Sequence, residues 1–107
     1  MKKLSIIIAA ALLPMTANAA PDADAAQALM KKSDCFKCHA IDKKKDGPSY
    51  KEVSKKYKGK ADAEDKLYKH MTMKPMIEID GKKEEHKAMK SSDKAEITNA
   101  IQWILSL

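Results

Sequence analysis

Arginine is absent from this chain, valine occurs once, and tryptophan and phenylalanine occur once each beside three tyrosines. Without guanidinium forks, and with so few rings to stack on bases, nucleic-acid recognition has little to work with. The lone valine and the lack of any alternating apolar pattern longer than "MIEID" leave no basis for a sheet. Long hydrophobic runs are missing too. The longest, Leu4 to Leu13, is broken by Pro14 and falls well short of the roughly 20 residues that span a bilayer. Two cysteines, three residues apart, are the only thiols available for a cross-link or a metal.

The first residues, "MKKLSIIIAAALLPMTANAA", place Lys2 and Lys3 before that apolar run and small residues at Ala17 and Ala19 after it. This is the pattern of a cleaved secretory signal over 1–19, so export to the periplasm and no stable membrane insertion after cleavage are expected. Residues 20–107 then form a single domain. With Lys2 and Lys3 removed, 19 lysines face 15 acids, a formal charge of +4. So short a chain buries a modest core and often depends on a staple, a metal or a cofactor.

Four helices follow from capping and periodicity. Asp22 or Asp24 caps a first helix in which Ala26, Leu29 and Met30 share a face, and that helix runs into the cysteines. "AIDKKKDGPSY" is a loop around Gly47 and Pro48. Tyr50, Val53 and Tyr57 line a second helix ended by Gly59, and a third is capped by Asp62 and stopped by Pro75. Asp93 and Glu96 have capping-box spacing ahead of an apolar stripe, Ile97, Ala100, Ile101, Ile104 and Leu105, around Trp103. Between the last two helices, residues 74–92 show an Asp80-Gly81 turn signal and no helical period. A loop of that length in a small domain is functional or wraps around something. The expected class is all-α, with no sheet.

The segment Cys35-Phe36-Lys37-Cys38-His39 admits three chemistries. A C-x-x-C redox pair needs a strand-helix frame that cannot be drawn here. A zinc site would recruit two of His39, His70 and His86, whose spacings do not resemble structural zinc motifs. Covalent haem attachment uses C-x-x-C-H itself: two thiols add to the porphyrin vinyl groups and the adjacent imidazole becomes the proximal iron ligand. A haem would also fill the interior of a chain so poor in aromatic residues.

With these motifs in family order, "CFKCHAIDKKKDGPSYKEVSKKYKG" followed at the C-terminus by "IQWILSL", the chain resembles the class I c-type cytochromes, in particular the short bacterial periplasmic monohaem group. The resemblance implies a small cytochrome c fold of about four helices wrapped around one covalently attached haem. It implies haem c held through Cys35 and Cys38, His39 as the proximal ligand of the iron, and a Pro48 carbonyl that accepts the hydrogen bond of the His39 ring. Met30 and Trp103 would lie where the first and last helices cross.

The family's distal methionine normally lies in a Pro-rich loop about half a dozen residues before the cap of the last helix, and no such "MPP" occurs here. Counting back from Asp93, Met89 is four residues away and His86 seven, while Met71, Met73 and Met76 lie 22, 20 and 17 away. His86 and Met89 are therefore both candidates for the distal position. The implied function is a periplasmic single-electron carrier, not an enzyme. Lys31, Lys32, Lys37, Lys82, Lys83, Lys87 and Lys90 would face acidic docking patches on redox partners such as a reductase or a terminal oxidase. The alternative is a haem sensor or peroxidase-like protein with an exchangeable distal ligand.

Overall fold

The computed structural model describes residues 20–107, and the signal segment expected over 1–19 lies outside the described residues. The chain order is α1 (Ala23–Lys32), a single 3₁₀ turn (Cys35–Lys37), α2 (Tyr50–Tyr57), α3 (Ala63–Thr72), β1 (Met76–Ile79), β2 (Lys82–Glu85) and α4 (Lys94–Leu105).

Asp22 begins α1 by accepting from the amide of Ala25 at 3.0 Å, and Lys31 and Lys32 sit in the last turn, where the helix dipole favours cations. Its buried face, Ala26, Leu29 and Met30, meets Ile97, Ala100, Ile101 and Ile104 of α4 in one apolar cluster that also holds Trp103. The Asn99 side chain fixes the two helices together: its amide donates to the Asp22 carbonyl at 2.9 Å, and its oxygen accepts from the Asp22 amide at 2.8 Å.

The capping of α4 differs from a full capping box. Asp93 accepts from the amides of Ala95 and Glu96 as expected. The Asp93 amide, however, donates to Ser91 Oγ, and that hydroxyl in turn donates to Glu96. A serine two residues upstream thus relays the arm that the glutamate would otherwise extend. Asp62 also departs from its expected role: its carboxylate caps no amide of α3 and pairs with Lys66 at 3.0 Å instead. At the far end of α4, buried Ser54 donates to the carbonyls of Leu105 and Leu107, tying α2 to the C-terminus.

The expectation of no sheet fails in the segment 74–92. β1 and β2 pair antiparallel from Met76 opposite Glu85 to Ile79 opposite Lys82. Asp80 and Gly81 between them both adopt positive φ, 50° and 79°, as a tight two-residue hairpin turn requires. Ile77 and Ile79 are half-buried on one face of β1, while every residue of β2, Lys-Lys-Glu-Glu, is exposed. A strand with no apolar side leaves no period-2 signal, and backbone pairing plus the turn hold it. Among the described residues the architecture remains four α-helices with one small hairpin.

Candidate functional site

Helix α1 stops at Ser33, and Asp34 takes a left-handed φ of 62° that swings the chain into the 3₁₀ turn. The amides of Cys38 and His39 both donate to the Cys35 carbonyl, at 3.3 and 3.0 Å, so the two thiols and the imidazole are wound on one short turn. Both cysteines are unpaired. Burial pushes the Cys35 thiol above its ordinary pKa. The Cys35 Sγ lies 3.8 Å from Met89 Sδ.

The loop after the turn folds back on it. Gly47 donates to the Cys38 carbonyl at 2.8 Å, and the Pro48 carbonyl lies 2.7 Å from His39 Nδ1. A carbonyl only accepts, so Nδ1 carries the proton and Nε2 keeps its lone pair for a metal. This is the hydrogen bond the resemblance implied. Gly47 is required by space rather than by φ: a Cβ built there would enter the His39 ring, 2.8 Å from Nδ1. Tyr50 covers the other side, stacked on His39 with ring centres 5.0 Å apart and set edge-on to Phe36 and Trp103. Burial drives the Tyr50 phenol well above its usual pKa, so it stays protonated. Nothing in the sequence marked Tyr50 as a neighbour of His39 beyond its place in α2.

Across from this turn stands the segment after β2. The His86 amide donates to the Pro75 carbonyl, the Met89 amide to Met71, and the Lys90 amide to Ser33 Oγ, at 2.8, 2.8 and 2.9 Å. These bonds bring the His86 ring to 6.2 Å from the His39 ring, centre to centre. His86 Nδ1 is the one buried side-chain nitrogen or oxygen without a hydrogen-bond partner among the described residues. Burial first, then the nearby His70 and His39, depress its pKa to about 4, so the ring is neutral and able to bind a metal. Met89 is 8 % exposed and belongs to the apolar core.

His70, in the last turn of α3, touches His86 with ring centres 4.2 Å apart, and burial chiefly lowers its pKa as well. Among the described residues no group of three or more His, Cys, Asp or Glu side chains is arranged to hold a metal ion, which leaves the zinc reading without a ligand set.

The family model described as Cytochrome c matches residues 23–107. The chain belongs to the cytochrome c family. It is 46% identical over 48 residues to cytochrome c-551 of Allochromatium vinosum, covering 45% of this chain and 51% of that protein. To cytochrome c-551 of Azotobacter vinelandii it is 54% identical over 39 residues, covering 36% and 48% respectively. The matches thus span about half the length of these relatives. Among solved structures, the class 1 cytochrome MtoD from Sideroxydans lithotrophicus ES-1 superposes with a TM-score of 0.78 at 50% identity, covering 81% of this chain and 97% of that one. Nitrosomonas europaea cytochrome c552 gives 0.58 at 27% identity, covering 76% and 98%.

A cytochrome c carries haem c, with its iron, attached covalently. The residues of this chain fit that group. Two thiols and a lone-pair nitrogen share one turn, and a second neutral imidazole with an unpartnered buried nitrogen faces them. His39 and His86, with ring centres 6.2 Å apart, are the imidazoles that would be placed to hold the haem iron.

Proposed function

We propose that the protein is a periplasmic carrier of single electrons, with haem c held by thioethers to Cys35 and Cys38, His39 as proximal ligand and His86 as distal ligand. The observation that carries this reading is the 6.2 Å spacing of the His39 and His86 rings, brought together from segments 47 residues apart in sequence. Bound haem c supplies one reversible exchange between ferrous and ferric iron.

The chain's own part is positional. Pro48 holds the His39 proton on Nδ1 and fixes the ring plane, and Gly47 leaves the room that this requires. Met89, with its sulfur against Cys35, packs the wall of the site. Were His39 and His86 both to hold the iron, no position would be left for a substrate, which favours a carrier over an enzyme.

Export through residues 1–19 would place it where haem is attached to such motifs and where its partners lie. Lys37, Lys87 and Lys90 gather around Asp34 beside the attachment turn, at 3.5, 3.7 and 3.6 Å, and each stays at least 60% exposed. Three ammonium groups around one carboxylate leave that surface positive, suited to redox proteins with acidic docking patches, such as a reductase or a terminal oxidase.

The test is the near-infrared absorption of the oxidised, matured protein. Low-spin haem without a sulfur-to-iron charge-transfer band is expected, and the band would assign the distal position to Met89. His86→Ala should shift the reduction potential; an unchanged spectrum and potential would remove His86 from the site.

A further inference from the structure

The distal side holds one more imidazole than a two-ligand haem site uses. The His70 ring lies 4.2 Å from that of His86, centre to centre, with the planes tilted by 53°, and His70 is itself an exposed residue. The two histidines hang from different supports. His86 rides on the segment that follows the hairpin, held by the Pro75, Met71 and Ser33 contacts and by the exposed pairs of Lys87 and Lys90 with Asp34. His70 belongs to α3, whose Leu67 is part of the buried core, and α3 shares one of those contacts, since the Met71 carbonyl that accepts from the Met89 amide is its own. Once the bonds to Met71, Pro75 and Ser33 break, the segment bearing His86 is free of α3, which keeps its own anchor in the core through Leu67.

Resting on the reading that His86 is the distal ligand, we propose that His70 is a second, reserve ligand that takes the distal position of the iron when His86 leaves it. The ring has only about its own width to travel, and it would enter the space that the His86 ring vacates. A ligand tethered this close acts at a high effective concentration, ahead of water or a dissolved ligand. Met89 is a weaker substitute because its sulfur is already packed against Cys35 in the core. The consequence is a carrier that keeps six-coordinate iron through openings of its distal segment and so resists binding small ligands.

The experiment uses the matured haem protein, with the ferric absorption spectrum, the reduction potential and carbon monoxide binding to the ferrous form as readouts. His86→Ala should remain low-spin, without a sulfur-to-iron band but with a shifted potential, and His86→Ala with His70→Phe should become high-spin. A high-spin spectrum in His86→Ala alone, or the appearance of the sulfur band there, would overturn the proposal. His70→Phe alone keeps the ring volume and should leave the ferric spectrum unchanged while carbon monoxide binds roughly tenfold faster. An unchanged binding rate would overturn the proposal even if the His86 variants fail to fold. Failure of the underlying assignment shows differently: a sulfur band in the unaltered protein, a His86→Ala protein with neither spectrum nor potential changed, or a His70→Phe spectrum that is itself altered.

Discussion

At Gly47 one missing methyl group decides whether the His39 imidazole fits beside the Pro48 carbonyl. Gly47→Ala would push a Cβ into the His39 ring and force the ring off the Pro48 carbonyl. An overpacked site of this kind costs about 1–3 kcal/mol, so the thermal midpoint should fall and the reduction potential should move with the altered ring. A melt identical to that of the unaltered protein would show that the loop yields without cost. Asp34 acts through charge instead. Lys37, then Lys90, hold its carboxyl below the ordinary 3.8. A carboxylate whose pKa is lowered in the folded state stabilises the fold above its unfolded pKa and loses that contribution as pH falls through the lowered value. Acid titration of unfolding should therefore steepen below about pH 4 in the unaltered protein, and Asp34→Asn should remove that part of the dependence.

Elements of this domain are held at their ends more than by their propensity. α4 depends on Asp93 at its start and on Ser54 and Lys58, which donate to the carbonyls at its finish. Asp93→Ala should cost about 1 kcal/mol, read as a lower denaturation midpoint. A loss much below that would mean that Ser91 alone suffices as a cap. The hairpin shows the limit of reading elements from side chains. Asp80-Gly81 announced a turn and "MIEI" half a strand, but Lys82–Glu85 is strand because its backbone pairs with β1, not because its side chains ask for it.

For the molecule as a whole, the charge that matters is local. The lysines around Asp34 form a positive surface at the edge of the attachment turn, while Lys66 and Lys69 neutralise Asp62 and Asp65 elsewhere on α3. Electron exchange with an acidic redox partner should slow several-fold between low salt and physiological ionic strength, where the Debye length is about 8 Å. Stopped-flow rates that ignore salt would remove these lysines from docking. At the same scale α1, α2 and α4 close on one core that holds Trp103, the sole tryptophan of the chain.

Cys35, Cys38, His39, Gly47 and Pro48 were legible because they are neighbours in sequence. Their chemistry is set by spacing along 14 residues, and the folded turn only realises it. Helix positions were legible for the same reason, since caps and apolar periods are local. The distal side was not. Counting residues left His86 and Met89 level, because nothing local tells a buried histidine from a solvated one in "KKEEHK". Backbone pairing of β1 with β2 leaves Lys82–Glu85 exposed but closes His86 onto Pro75 and sets its ring between His39 and His70. The burial of His86 belongs to tertiary structure: it depends on what lies opposite, and here the opposite wall comes from residues 16 and 47 positions away.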